Sequence, residues 1–230
     1  GQAIAARLMS EGACVVLADI DGQSLDAAVA DFGKRFGKDA VAGIHVDVTS
    51  EAQVDAAFHE ALLAFGGIDV VVANAGIASA AAFEDTSLEL WNRNIAILAT
   101  GYFLSARAGY RIMKEQGLGG SIVFIGATAS RCGASRSATF ASAKAPQRSL
   151  AESMARSPLA IRHPCLADRR RRHRRSSEDA ASDARQTRQF LRQAVRRGGN
   201  RLPAHVPGSE RLELRSRGST VWRGAVMADW

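Results

Sequence analysis

Three short polar segments each follow an apolar run of the sequence, and their residue types suit nucleotide binding. Asp19 follows CVVLA, Asp47-Val48-Thr49 follows VAGIHV, and Asn74-Ala75-Gly76 follows DVVVA. A carboxylate at a strand end, about 20 residues after a glycine turn such as one at Gly1, can hydrogen-bond an adenosine ribose 2′-hydroxyl. The same charge repels the 2′-phosphate of NADP, so Asp19 favours NAD.

The third segment adds an amide and a glycine. Gly76 permits a close backbone approach that a Cβ atom would block, and the amide of Asn74 can bridge backbone groups at a strand end. Taken singly, each segment is equally consistent with ordinary turn chemistry, and Asp19 with a solvated turn carboxylate. It is the ordered set that predicts a nucleotide-binding edge.

The stretches between these segments alternate in the manner of βαβ units. Helical patterns cover 1–12, a segment opened by Ser24, a segment opened by Ser50 and ended by Gly66, about 87–117, and 136–156. We expect both serines to be helix N-caps. The apolar, β-branched runs between the helices predict strands buried on both faces, as in a parallel sheet. Ligands bind outside the carboxyl ends of such strands, so we expect the three polar segments to share one edge.

The order of motifs resembles the short-chain dehydrogenase/reductase family over residues 1–162. It runs from Gly1-Gln-Ala-Ile-Ala through ADID, DVT and NAG to ATFASAK. The resemblance implies an α/β fold with a Rossmann-like doubly wound parallel sheet, a homodimer or homotetramer, and hydride transfer between a nicotinamide cofactor and an alcohol or carbonyl substrate. We expect NAD, with NADP the less favoured alternative. The resemblance also assigns cofactor contacts to Gly1, Asp47, Val48, Asn74, Ala75 and Gly76.

The family's catalytic residues are Asn, Ser, Tyr and Lys, and they match Leu98, Ala127, Phe140 and Lys144 here. The resemblance implies that Lys144 holds the nicotinamide ribose. Phe140 has no hydroxyl and cannot act as a general acid. Asn94, one helical turn from Leu98, is a weak substitute for the Asn. The segment also resembles an unusual subgroup with Phe at the Tyr position, in which Phe140 would be inherited.

Gly1 matches the last glycine of the family's Gly-rich turn, which follows the first strand. We therefore expect a chain truncated at its N-terminus and a sheet lacking its first strand, which is central in the family. Three functions stay open at this point. They are an oxidoreductase of doubtful activity, a non-catalytic dinucleotide-binding scaffold, and nucleic-acid binding through the C-terminal tail.

The charge of the chain is divided unevenly at about residue 162. Residues 1–162 hold 14 Lys+Arg and 16 Asp+Glu, whereas 163–230 hold 16 Arg, no Lys and 7 Asp+Glu. The tail also loses the hydrophobic periodicity, so we expect it to be irregular or to form isolated helices. A basic arm for phosphate contacts is one interpretation. We favour a change of reading frame, and we therefore do not expect nucleic acid as a partner.

Other classes of protein are disfavoured by composition. No apolar run reaches the roughly 20 residues that span a bilayer, and the start lacks a signal-peptide pattern. Cys14, Cys132 and Cys165 lack metal-ligand spacing, so we expect reduced thiols and no metal site. These features predict a cytoplasmic protein without a membrane partner.

Overall fold

The computed structural model describes residues 1–156 in full, together with the backbone of the strands Arg162–Asp168 and Ala225–Ala228. The expected alternation of helices and strands is present. In chain order the main elements are α1 (Gln2–Ser10), β1 (Val15–Asp19), α2 (Gly22–Phe36), β2 (Val41–His45), α3 (Glu51–Phe65), β3 (Val70–Ala73), α4 (Leu88–Ile95), α5 (Gly101–Gln116), β4 (Ser121–Gly126), α6 (Ala138–Ala155), β5 (Arg162–Asp168) and β6 (Ala225–Ala228).

The strands form one parallel sheet in the order β2–β1–β6–β3–β4–β5. From β1 the chain moves outward to β2, then returns past the centre to β3 and continues to β4 and β5. The winding direction therefore reverses between β1 and β3, which is the switch point where doubly wound sheets bind ligands. This topology confirms the Rossmann-like fold predicted from the sequence.

We expected the sheet to lack its central strand. In the structure, β6 lies at that central position, between β1 and β3. Val15 of β1 and Val70 of β3 both pair with Ala225, and the parallel register continues to Ala228. Both flanking strands are buried along their whole length. Their inner edges would otherwise present buried, unpaired backbone N–H and C=O groups, and a short apolar strand satisfies both edges at once.

Two segments of the tail are consequently strands and not irregular chain. β5 extends the sheet beyond β4, with Ser121 paired to Arg162 and Gly126 to Asp168. The expectation of an irregular tail is wrong for 163–168 and for 225–228. The other tail residues, including the arginine cluster, lie outside the described part of the chain, and a domain boundary at 162 stays a prediction.

Apolar side chains alternate between the two faces of the sheet and form a core layer on each. Val16 of β1 and Val71 of β3 face the layer that includes α3 and α5, while Val15 and Val72 face the layer that includes α1 and α2. Helices thus cover both faces, as parallel sheets require. Within the described residues, no helix is both long and apolar enough to cross a membrane.

The helix ends confirm one predicted cap and correct another. Ser50 caps α3, its hydroxyl accepting the amide of Gln53 at 3.4 Å, and Gly66 ends that helix with φ 70°. The cap of α2 is Asp21 and not Ser24, because the helix begins at Gly22. The Asp21 carboxylate accepts the Ser24 amide and hydroxyl, and these bonds lower the pKa of Asp21.

The single helix predicted over about 87–117 is interrupted by a π-helical segment, Ala96–Thr100, between α4 and α5. The i→i+5 hydrogen bonds of such a segment add about one residue to a helical turn. The carbonyl of Leu98 within it accepts the side-chain amide of Gln147 of α6 at 2.6 Å. This bond joins the interrupted helix to the helix that carries Lys144.

Candidate cofactor and active site

The predicted site residues lie at the carboxyl edge of the sheet. Asp19 is the last residue of β1, Asp47 and Val48 follow β2, Asn74–Gly76 follow β3, and Ala127 follows β4. All four strands run parallel, so these residues share one edge, as expected. They lie on both sides of β6, at the switch point.

Asp19 is a buried carboxylate with a fixed orientation, 5% exposed. Its Oδ1 accepts the amide of Asp21 at 2.8 Å, and its backbone carbonyl accepts the amide of Val46 at 2.8 Å. A solvated turn carboxylate, the alternative left open by the sequence, is excluded by this burial. The arrangement places a carboxyl group at the end of β1, next to the turn that begins α2.

Asp47 and Val48 belong to a turn that is shaped by Asp47 itself. The Asp47 carboxylate accepts the amide and the hydroxyl of Thr49, at 2.8 and 2.7 Å. Val48 packs against Gly101 at the start of α5, so tightly that a Cβ atom on Gly101 would lie 2.9 Å from Val48 Cγ2. Ordinary turn chemistry therefore explains the carboxylate of Asp47, while Gly101 fixes the position of Val48.

The segment after β3 brings Gly76 close to two of the predicted catalytic positions. A Cβ atom on Gly76 would lie 3.0 Å from Leu98 Cδ2 and 3.9 Å from Lys144 Nζ. Ala75 beside it is buried, and Asn74 is half-buried. The close backbone approach predicted for Gly76 is thus made to the side chains of Leu98 and Lys144.

Lys144 is buried in α6, with 6% of its surface exposed. Its ammonium donates to the carbonyl oxygen of Ile125 at 2.9 Å and lies 3.4 Å from the hydroxyl of Tyr102. The Tyr102 ring centre is 5.0 Å from Nζ, within range of a cation–π contact. Lys144 is therefore not a solvated helix residue, and its charge is held next to the end of β4.

The two positions that would supply hydroxyl groups carry none. Phe140 lies one helical turn before Lys144 and is half-buried, with its ring centre 6.0 Å from Lys144 Nζ. Ala127 is extended, with φ −145°, and leads into the 3₁₀ turn Thr128–Ser130. Neither side chain can transfer a proton or donate a hydrogen bond to a carbonyl.

Asn94 is fully buried and takes part in a polar cluster, defined here as Ser79, Asn94 and Thr139. The hydroxyl of Ser79 donates to Asn94 Oδ1 at 2.9 Å and lies 2.9 Å from the hydroxyl of Thr139. Asn94 Nδ2 donates to the carbonyl of Leu90 at 2.8 Å. The cluster ties the segment after β3 to α4 and α6, so Asn94 has a structural explanation.

Gly1 precedes α1 and is its N-cap residue, its carbonyl accepting the amides of Ile4 and Ala5 at 2.8 and 3.0 Å. A helix N-terminus favours anions, which is compatible with the pyrophosphate contact that the resemblance implies.

Sequence reasoning missed three side chains that shape this site: Tyr102, Ser79 and Gln147. Each contact joins segments far apart in the chain, and Tyr102 and Lys144 are 42 positions apart. Gln147 lies one helical turn after Lys144, and the chain has two tyrosines. Those facts mark the residues as candidates but do not indicate their partners.

Comparison with known proteins identifies similar sequences and structures. The sequence model of the family described as enoyl-(acyl carrier protein) reductase matches residues 1–162. The uncharacterized oxidoreductase YuxG of Bacillus subtilis is 39% identical over 155 residues, which cover 67% of this chain and 22% of YuxG. The trans-4-hydroxycyclohexanecarboxylate dehydrogenase of Sinomonas cyclohexanicum is 38% identical over 141 residues, covering 60% of this chain and 54% of that enzyme.

Solved structures show the same fold. A short-chain dehydrogenase/reductase from Burkholderia phymatum, crystallised in complex with NAD, superposes with a TM-score of 0.70 at 24% identity, over 85% of this chain and 75% of that one. The chain spans 22% and 54% of the two curated relatives, so it is comparable with only part of each protein. With residues 1–162 matched by the family's sequence model, the chain belongs to the short-chain dehydrogenase/reductase family.

Proposed function

We propose that this protein is an NAD-preferring oxidoreductase that keeps its cofactor-holding lysine and lacks the family's usual proton donor. The observation that carries the proposal is the burial of Lys144, with its ammonium bonded to the Ile125 carbonyl at the end of β4. A buried ammonium is costly unless it is bonded, so such a lysine indicates a functional site.

We assign described residues to four parts of a dinucleotide: the adenosine ribose, the adenine, the pyrophosphate and the nicotinamide ribose. Asp19 is buried at the end of β1, where a carboxylate would accept from an adenosine ribose hydroxyl and repel a 2′-phosphate. Val48, fixed against Gly101, would contact the adenine, and Asn74–Gly76 would face the cofactor. Lys144 would hold the nicotinamide ribose. Among the described residues, Gly1 would contact the pyrophosphate.

The residues of this chain are better suited to binding a dinucleotide than to catalysing hydride transfer. When bound, the nicotinamide ring would supply or accept a hydride at the alcohol or carbonyl carbon of a small-molecule substrate. The proton that accompanies this transfer would have no donor at Phe140, and the carbonyl would have no hydroxyl partner at Ala127. Positioned acid–base groups contribute about 10²–10⁴-fold in rate, so we expect slow turnover.

The oligomeric state, location and substrate class that we propose follow from the family resemblance. The expected assembly is a homodimer or homotetramer, and the expected location is the cytoplasm. The substrate is proposed as a class, alcohols and their ketones or aldehydes.

A second candidate is a dinucleotide-binding scaffold without catalysis. Leu98, Ala127 and Phe140 all replace catalytic side chains, while the cofactor-holding Lys144 remains in place. A protein that binds a nucleotide but turns over nothing would show this pattern. Nucleic-acid binding through the arginine-rich tail concerns residues outside the described part of the chain, and no structural observation favours it.

The decisive experiment combines NADH fluorescence titration with turnover assays on the full-length protein. We expect NADH to bind, and binding to weaken in Lys144→Ala but not in Lys114→Ala, a control on the exposed end of α5. Slow turnover of any alcohol or ketone that is lost in Lys144→Ala supports the oxidoreductase, whereas binding without turnover supports the scaffold. Absence of NADH binding contradicts both.

A further inference from the structure

Tyr102 places a phenolic hydroxyl beside Lys144, although the family's tyrosine position holds Phe140. Tyr102 is 1% exposed, and its hydroxyl donates to the Ile125 carbonyl at 3.1 Å. Lys144 donates to the same carbonyl at 2.9 Å and lies 3.4 Å from the Tyr102 hydroxyl. One carbonyl oxygen therefore binds a phenol and an ammonium that also touch each other.

The orientation of Tyr102 is fixed by its surroundings. Its ring stacks on Phe124 of β4, with centroids 5.8 Å apart and planes inclined by 20°. Tyr102 comes directly after the π-helical segment Ala96–Thr100 and Gly101, so the extra residue in that turn rotates the side chains that follow it. A buried tyrosine packed in this way offers its neighbours a rigid hydroxyl at little cost in conformational entropy.

Tyr102 cannot replace the missing general acid directly. Its hydroxyl is buried beneath the end of β4 and donates to a backbone carbonyl, whereas a general acid must reach the proton-accepting atom of the substrate. The Tyr102 hydroxyl can therefore influence Lys144 but cannot reach a substrate.

We propose that Tyr102 is a positioning residue for Lys144, holding the ammonium against the Ile125 carbonyl. This inference rests on the proposed function, because a fixed ammonium matters to the nicotinamide ribose that Lys144 would hold. The geometry predicts that the hydroxyl of Tyr102 contributes to cofactor affinity only through Lys144.

The first test compares two ligands on the full-length protein. Tyr102→Phe keeps the ring on Phe124 and removes the hydroxyl, and Tyr110→Phe is the matched control at the chain's other tyrosine. Loss of a positioned rotamer predicts NADH binding about three- to tenfold weaker in Tyr102→Phe. ADP lacks the nicotinamide riboside, so its affinity should stay within about twofold of wild type. A general structural defect would instead weaken the binding of both ligands.

A double-variant cycle completes that test. In a Lys144→Ala background, Tyr102→Phe should change NADH affinity by no more than about twofold, because the group that it positions is gone. Equal losses in both backgrounds, or unchanged NADH affinity in Tyr102→Phe, would overturn the inference while leaving NADH binding by the wild type intact.

A second measurement needs no cofactor and decides the inference even if NADH does not bind. Limited acetylation followed by peptide mass spectrometry gives the modification rate of Lys144 relative to exposed Lys114. Tyr102→Phe should raise that ratio by about threefold or more, because the released lysine samples solvent more often. Tyr110→Phe should leave the ratio unchanged. A ratio that is the same in wild type and Tyr102→Phe contradicts the positioning role.

Discussion

Lys144 and Phe140 lie one helical turn apart on α6, with the ammonium nitrogen 6.0 Å from the centre of the aromatic ring. Phe140 offers that cation a ring face but no exchangeable proton. The ammonium is bonded instead to the Ile125 carbonyl, in the interior of the protein. The cofactor-holding role that we propose for Lys144 therefore does not require a proton donor at residue 140.

Restoring both hydroxyls should raise activity. We expect the double variant Ala127→Ser/Phe140→Tyr to increase NADH-dependent reduction of small ketones by about 10²-fold over wild type, since general acid–base groups contribute at least that much. Phe140 is half-buried, so part of its surface is open to solvent. Initial rates of NADH oxidation at 340 nm measure the change.

The control for that gain is Ala127→Ser/Phe140→Leu, which restores one hydroxyl and leaves residue 140 apolar. Its rate should stay near that of the wild type. A wild-type rate equal to that of the tyrosine variant would show that the protein already has an efficient proton donor elsewhere.

Gly101→Ala should displace the turn at Val48. The new Cβ atom would lie 2.9 Å from Val48 Cγ2 and 3.3 Å from the Val48 carbonyl oxygen, so the turn must move. Overpacking of this kind costs about 1–3 kcal/mol of unfolding free energy. It should also weaken NADH binding, if Val48 contacts the adenine. Urea unfolding and NADH titration measure the two effects.

Two companion variants separate the steric effect from other causes. Gly133→Ala should be neutral, because among the described residues its Cβ atom would meet Ala141 Cβ alone, at an ordinary 3.7 Å. Val48→Ala combined with Gly101→Ala removes the clashing Cγ2 methyl group and should recover part of the lost stability. If Gly101→Ala is as stable as wild type, the close packing at Val48 does not constrain the turn.

Cys14 and Cys132 should differ in their reaction with iodoacetamide. Burial raises the pKa of the Cys14 thiol, whereas Cys132 is exposed. The thiolate is the nucleophile, so Cys14 should react several-fold more slowly at pH 8, and the gap should narrow as the pH rises. Peptide mass spectrometry follows each site, and in urea the two rates should converge. Equal rates in the native protein would contradict a raised pKa of the half-buried Cys14 thiol.

The sequence was sufficient for the parts of the fold that rest on local pattern. The apolar runs before Asp19 and Asn74 predicted β1 and β3 because a strand buried on both faces must be apolar throughout. Ser50 was the correct cap of α3. Asp21 and Ser24 are both good capping residues at nearly the same place, and which of them caps α2 depends on where the helix begins.

The features that sequence reasoning missed depend on tertiary contacts. The π-helical segment is stabilised at Leu98 by Gln147, a residue of another helix, and the helical pattern of 87–117 contains no sign of it. β6 is four residues long and pairs with strands more than 150 positions away. The Tyr102–Lys144 contact likewise joins distant residues, so residue types alone do not indicate it.

The central claim, an NAD-preferring dinucleotide site, is tested most directly by titrating the full-length protein with NADH and NADPH side by side. We predict that NADH binds at least about tenfold more tightly, because the buried carboxylate of Asp19 repels a 2′-phosphate. Asp19→Ser should narrow that ratio. NADPH binding as tight as NADH binding, or a ratio that Asp19→Ser leaves unchanged, would contradict the account.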